Sequence, residues 1–435
     1  MFDTYLQMCY NMGVKKFGGN FMNKNTELEN YKILVVNAGS SSLKFSLVKM
    51  PEETIIANGL VGRIGLGLSE WKLTKNSQKM SGELKIANHS EAFNLMINKL
   101  LEVKAINNLN EIGAIGNRVL HGTSKYKSSV IINDEVLNDI KDYTCLGPLH
   151  HPGELLGIEG GKKALPDAIQ VATFDTAFHQ TIPSINYCYP VPDEWYDEYK
   201  VRKYGFHGTS HRYITETMQN ILGKREVNII SCHIGSGASI AAIKNGKSYD
   251  TTMGLTPLAG LMMCTRSGSV DPSIIEYVAR RSGKNIEEIM DDLNKKSGLV
   301  GMAGFSDWRD VEENAKNGDI KAKLAIEMIT ESAANYIWQY VRELDGRVDA
   351  IVFTAGIGEN AAYYRFKVIE KLRLLNIKVS EEENNKIAGF KDVKQGIIST
   401  RDSSIPVYVI PTNEEIMIAR ETYDLTKEKV LKKTR

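Results

Sequence analysis

Two stretches of this chain carry the same pattern, and together they limit what it can fold into. Residues 32–36 (KILVV) are a short apolar run, as in a buried strand. Asn37-Ala38-Gly39-Ser40-Ser41-Ser42 follows as a turn-forming cluster, and residues 43–48 then alternate apolar and polar as a half-buried strand does. Residues 227–232 (VNIISC), the small loop 233–238 and residues 239–243 repeat strand, loop and strand, and Asn245-Gly246 then makes a tight hairpin turn. Asn37 and His233 hold matching places 196 positions apart. Two such hairpins half a chain apart point to a duplicated domain. The alternative is coincidence, because Gly/Ser turns between strands are common.

Helices fill the intervals. Asp271-Pro272 ahead of Ser273 is a capping residue followed by Pro at a first helical position. Ala325, Met328, Ile329, Ala333, Tyr336, Ile337, Tyr340, Val341 and Leu344 form one apolar stripe, stopped by Gly346. Residues 350–353 read as a buried strand running into a loop over 354–360, with a helix beginning near Ala361. Hairpins combined with β-then-α order give an α/β protein with helix-covered sheets. The 435 residues suit two or three domains.

Lys and Arg number 54 against 53 Asp and Glu, a net charge of +1, so no global field recruits nucleic acid or a membrane surface. Five cysteines, at 9, 145, 188, 232 and 264, are odd in number and scattered, which fits a reducing, cytoplasmic setting rather than a disulfide framework. No apolar run reaches the roughly 18 residues of a membrane-spanning helix. Residues 1–30 lack the order of a signal peptide and are expected to carry no function. One reading is a frayed N-terminal tail; the other is upstream sequence read through, because the codons beneath Gly18-Gly19 can spell a ribosome-binding sequence, which makes Met22 the expected start.

The candidate chemistry concentrates in a few places. Small-residue loops between strands leave backbone N–H groups free to face an anion, and neither hairpin loop is a Walker A or dinucleotide motif. The 354–360 segment ends a strand and opens a helix, a geometry suited to a nucleotide. Seven of eight histidines fall between 121 and 233, with spacings unlike zinc motifs; glycines beside His207 and His211 suggest a loop there. Imidazoles, neutral or protonated, can donate hydrogen bonds to an anion. Arg118 and Arg266, among small and apolar neighbours, are each a buried ion-pair partner or an anion clamp. Asp175, ending a strand-like run, is a catalytic or metal-linked acid, or an N-cap.

Five motifs in order, VVNAGSSSLKFSL (35–47), FDTAFH (174–179), YGFHGTSH (204–211), DTTMGLTPLAGLMMCTRSG (250–268) and FTAGIGEN (353–360), resemble the acetate kinase family, from about Lys32 to about Arg420. The resemblance implies duplicated actin-like (ribonuclease H-like) domains with the active site in the cleft between them: 31–177 plus 412–435, and a nucleotide-binding 178–411. It implies Asn37 and Glu414 at magnesium, with Ser40, Ser42 and Lys44 beside the phosphates. Arg118 and Arg266 would hold carboxylate and phosphoryl, Asp175 is the essential acid, and His207, with His211 beside it, is the transition-state stabiliser. Leu120, Leu149, His150, Phe206 and Pro257 would face the substrate. His233, Ile234, Gly235, Ser236 and Gly237, then Asp307, Trp308 and Arg309, then Gly356, Ile357, Gly358, Glu359 and Asn360, would bind nucleotide.

The implied reaction is reversible, direct in-line phosphoryl transfer from ATP to acetate, giving ADP and acetyl phosphate. Mg²⁺ assists, with Mn²⁺ able to substitute. The partners are these small molecules, with no nucleic acid or membrane, in a cytoplasmic homodimer. Other short-chain acids such as propionate, or a nucleotide-gated binding protein on the same superfold, are the alternatives. The chain departs from the family at Asn117 (usually His), Ser236 (usually Asn) and Cys264 (usually Gly). The last two sit beside the phosphates and bear on donor affinity, and Cys264 is expected to confer sensitivity to thiol reagents. Leu120, where the family often has Val, is one methylene larger and favours acetate over propionate.

Overall fold

A computed structural model describes residues 31–148, 150–389 and 395–433; the expectations for residues 1–30 and for Leu149 lie outside these. The first sheet comprises β1 (Tyr31–Gly39), β2 (Ser42–Met50), β3 (Thr54–Gly62), β4 (Leu68–Lys75), β5 (Gln78–Lys85), β6 (Ile112–Val119), β7 (Val130–Ile131) and β8 (Ile169–Phe174), in the order β5-β4-β3-β2-β1-β6-β8-β7. The second comprises β9 (Ile229–Ile234), β10 (Ala238–Lys244), β11 (Lys247–Thr251), β12 (Ala350–Thr354), β13 (Gly396–Ile397) and β14 (Val407–Val409), in the order β11-β10-β9-β12-β14-β13.

The two sheets share one topology. β3-β2-β1 and β11-β10-β9 are antiparallel meanders, and β1-β6-β8 and β9-β12-β14 are parallel runs. The 196-residue repeat therefore extends over five strands in each half. The turns are tighter than the sequence suggested: Asn37, Ala38 and Gly39 belong to β1, leaving only Ser40 and Ser41 outside the ladder.

Helices α1 (His89–Glu102) and α2 (His151–Ala164) accompany the first sheet, and Leu34, Val36, Phe93, Met96 and Ile115 share one core there. In the second half, α3 (Gly208–Leu222) covers one sheet face through Ile214 and Met218. The other face meets α4 (Trp308–Lys316), α5 (Ile320–Glu343), α6 (Ala355–Asn360) and α7 (Ala362–Glu370). α5 buries Ala325, Ile329, Ala333, Ile337 and Tyr340 as the stripe required, but Met328 stays 41% exposed because it sits at the stripe's edge.

The last helix, α8 (Glu414–Lys433), returns to the free face of the first sheet, where Ile416, Ile418 and Ala419 pack on Ile33, Val35 and Ala114. This explains one departure from pattern. Phe45 to Val48 are all buried rather than alternating, since both faces of β2 are covered. Two ion-pair groups, Arg212–Glu421 and Arg420 with Glu53 and Glu216, tie α8 to α3 and to the β2–β3 turn.

The glycines around His207 serve close approach rather than chain breaking. His207 (φ 56°) caps α3 and His211 lies in its first turn, so the expected loop is a helix start. A Cβ on Gly208 would lie 2.1 Å from the backbone oxygen of Asp175. Gly208→Ala is therefore expected to lose roughly 1–3 kcal/mol of stability through backbone displacement, measured as a fall in thermal midpoint together with loss of activity.

Candidate active site

Three neighbouring parallel strands deliver polar side chains at their C-terminal ends, the edge where open α/β sheets bind ligands. Asn37 lies near the end of β1, Arg118 near the end of β6, and Asp175 immediately after β8. Arg118 Nη2 donates to Asp175 Oδ2 at 2.5 Å, Nε to Oδ1 at 3.3 Å, and Nη1 to Asn37 Oδ1 at 3.4 Å. Asp175 is 1% exposed and its carboxylate faces this guanidinium, while Thr176 stands at the N-cap of the next turn. Lys44 stands opposite Asn37 in the hairpin register. Asn37, Lys44, Arg118, Glu414 and Glu415 line one cavity.

Hard oxygen donors there suit a divalent cation that keeps most of its ligands from phosphate and water. Among the described residues the Glu414 carboxyl forms no hydrogen bond, and burial pushes it up to about 7 against the attraction of Arg118. A carboxyl held in that state fits a site that takes a cation with its substrate.

The second half supplies the facing wall. Gly208 N–H donates to the Asp175 carbonyl at 2.9 Å, setting His207 beside the first-half acid. The His207 ring stacks on His233 at 4.1 Å, and its Nδ1 lies 2.9 Å from Ser239 Oγ. A Cβ built on Gly237 would sit 3.3 Å from Arg266 Nη1 and 3.6 Å from His207 Nε2, so turn, guanidinium and imidazole converge. Arg266 Nη1 donates to the Pro257 carbonyl at 3.1 Å, and among the described residues no carboxylate pairs with Arg266. Burial, with the nearby charge of Arg118, lowers the Arg266 pKa. A half-buried arginine that meets no carboxylate among the described residues, close to a second arginine, suits an anion.

The histidines around it are neutral. Burial, then His233, His211, Arg118 and Arg266, holds His207 well below the ordinary imidazole range. Burial and Arg118 hold His233 at about 3; burial and both arginines hold His150 at about 4.

Leu120 (3% exposed) and Phe206 (1%) belong to one buried apolar cluster, and the Pro257 carbonyl holds that residue against Arg266. On the far side, Gly235 N–H donates to Gly237 O within its turn, so it is not free for an anion as the sequence suggested. Cys264 N–H donates to Ser236 O, and Cys264 Sγ sits beneath the turn, 3.9 Å from Gly235 O. Asp307 caps α4 and pairs with Arg309, Oδ2 to Nη2 at 2.5 Å; this holds Asp307 at about 2. Trp308 is a core side chain, edge-on to Tyr364 with Nε1 bonded to Glu312, and Ile234 is buried as well. Residues 355–360 are the helix α6 rather than a loop, because Glu359 accepts from Ala355 N–H and closes the turn. Glu359 also accepts from Thr412 N–H, which anchors the segment leading into α8.

Residues 32–420 match the profile of the Acetokinase family. The chain belongs to that family. It is 49% identical over 403 residues to acetate kinase of Carboxydothermus hydrogenoformans, spanning 92% of this chain and 100% of that one. The crystal structure of a propionate kinase from Francisella tularensis matches with a TM-score of 0.86 at 41% identity, over 91% of this chain and 100% of that one. Porphyromonas gingivalis acetate kinase matches with 0.85 at 40% identity, over 91% and 99%. As an acetokinase-family member the chain is a phosphotransferase with a carboxyl group as acceptor.

Four residues that support this site are not marked as such by the sequence motifs. Ser231 and Ser239 hold the histidines; the signal was Ser231 and His233 at period two in one apolar strand, with Ser239 in the next. Arg365, fully buried, donates to the carbonyls of Gly358 and Glu359 and braces α6. Glu154, 2% exposed, accepts from Leu120 N–H at 3.1 Å, while its second oxygen has no partner among the described residues.

Two outcomes follow from burial. Burial raises the Glu154 carboxyl from about 4.5 to about 8, against the pull of Arg118. The folded state thus holds a proton that the unfolded chain releases, so stability falls as pH rises from about 4.5 to about 8, by at most ~1.4 kcal/mol per pH unit. Glu154→Gln should flatten that slope in denaturant melts at a series of pH values; an unchanged slope contradicts the assignment. Second, burial raises the Cys264 thiol pKa, which works against the sensitivity expected from sequence. Peptide mapping after brief alkylation should find the exposed Cys145 and Cys188 labelled well before Cys232 and Cys264.

Proposed function

We propose that this cleft performs reversible, direct in-line phosphoryl transfer between ATP and acetate, with ADP and acetyl phosphate as the products. The observation that carries the reading is the convergence of Arg118, Arg266 and the Nε2 atom of a neutral His207 around one space, where, among the described residues, Arg118 is tied to an acid and Arg266 is not.

Acetate is already an anion, so little deprotonation is needed; the barrier is bringing two anions together. Arg118, oriented by Asp175, would take the acetate carboxylate, with Leu120, Phe206 and Pro257 around its methyl group. Arg266 and His207 would donate to the equatorial oxygens of the transferring phosphoryl group, where charge develops. Asn37 and Glu414 would hold Mg²⁺, or Mn²⁺ in its place, whose role is to neutralise the phosphate oxygens. Lys44 and the 235–237 turn would lie along the phosphates, and Asp307, Arg309 and residues 356–360 beside the nucleoside.

The size of Leu120 supports acetate over propionate. One methylene of misfit costs about 1–3 kcal/mol, so propionate is a poorer substrate rather than a non-substrate. The repeated topology supports a division into 31–177 plus 412–435 and 178–411, closing on nucleotide. The family resemblance supports a homodimer, and the free cysteines a reducing cytoplasm. No helix among the described residues is long and apolar enough to cross a membrane.

A hydroxamate assay for acyl phosphate tests the reading. With ATP and Mg²⁺, acetate should give the strongest signal, propionate a weaker one and butyrate the least. Arg118→Ala should lower kcat/KM for acetate by about 10²–10³-fold. A chain that makes no acyl phosphate from any acid, or an Arg118→Ala variant with full activity, would overturn it.

A further inference from the structure

A single hydroxyl stands between two imidazoles. Ser239 Oγ lies 2.9 Å from His207 Nδ1 and 2.8 Å from His211 Nε2, and His211 Nδ1 lies 2.9 Å from Ser231 Oγ. Ser231, Ser239 and His211 are 0% exposed. The arrangement follows from pleat and register. Ser231 and His233 are two apart on β9, and Ser239 is directly paired with His233, so all three face α3, which carries His211.

A hydroxyl has one proton, so Ser239 donates to one ring and accepts from the other. Both rings are neutral and carry one proton each. Only two polarities are consistent with this. In one, Ser231 donates to His211 Nδ1, His211 Nε2–H donates to Ser239, and Ser239 donates to His207 Nδ1. Every buried proton then has an acceptor, and His207 keeps its own on Nε2. In the other, each bond reverses, and the Ser231 proton is left in a dry site without an acceptor among the described residues. An unmade hydrogen bond of that kind is unfavourable.

We propose that Ser231, His211 and Ser239 form a directed hydrogen-bond relay that locks His207 as the Nε2–H tautomer, so that it offers a donor rather than a lone pair to the transferring phosphoryl group. The inference rests on the reading of His207 under Proposed function. Ser239 and His211 are positioning residues: neither touches substrate, and both act through the ring nitrogen they bond. The nearest cations, Arg118 and Arg266, do not select the tautomer by proton exchange, since both stay protonated throughout.

The test uses the full chain with ¹⁵N-labelled histidine. Long-range ¹H–¹⁵N correlation spectra of the wild type should show His207 protonated at Nε2 and bare at Nδ1. Ser239→Ala should mix the tautomers and lower kcat by about 10–100-fold, with KM for acetate and ATP changed by less than about twofold. Ser239→Thr, which keeps the hydroxyl, should restore both the spectrum and most of kcat. Ser231→Ala should give a smaller loss in the same direction. Protonation of wild-type His207 at Nδ1 overturns the relay and can be read even if Ser239→Ala does not fold. A folded Ser239→Ala with wild-type kcat overturns it too. His207→Ala separates the two readings. Full kcat in that variant overturns the role of His207 in transfer, whereas impaired kcat with an Nδ1–H wild type overturns the relay alone.

Discussion

The hydrogen bond from Gly208 N–H to the Asp175 carbonyl joins the two halves of the molecule at the point where their chemistry meets. Asp175 uses its side chain for Arg118 and its backbone for α3. One residue of the first sheet thereby sets both the orientation of a first-half arginine and the position of the second-half histidine at the start of α3. The contact demands glycine at 208, because any side chain there would meet the Asp175 backbone. It also draws His207 into a left-handed backbone conformation that the surrounding packing must hold.

Around that joint, the electrostatics are arranged for an incoming anion. Arg118 has its charge partly answered by Asp175; Arg266 meets a backbone carbonyl and, among the described residues, no acid. The imidazoles between them are kept neutral by burial, so they add donors without adding to the repulsion between the two guanidinium groups.

α8 is the second device that shapes the cleft. By covering the outer face of the first sheet it buries both sides of β2 and β1, and its first residue, Glu414, reaches the cavity shared by Asn37, Lys44 and Arg118. Its ion pairs to α3 tie the helix that begins at Glu414 to the helix that carries His211.

Much of this was legible in the sequence. The repeated strand-turn-strand pattern, the apolar stripe of α5 and the ordered motifs gave the α/β duplication and the family, because periodicity and turn chemistry are local properties. Arg118, Asp175, His207 and Arg266 stood out as residue types in unusual company. Local pattern could not tell whether an arginine is paired, whether glycines break a helix or admit a neighbour, or whether Trp308 faces solvent or core. Those depend on what another segment places within a few ångströms. Only the tertiary structure decided that Arg118 pairs with Asp175 while Arg266 meets a backbone carbonyl, that residues 355–360 close into a helix, and that Cys264 lies beneath the turn. Nor could sequence reveal that Ser231, Ser239, Glu154 and Arg365 support the site, because a serine in a strand or a glutamate in a helix carries no mark of its partner until the chain has folded.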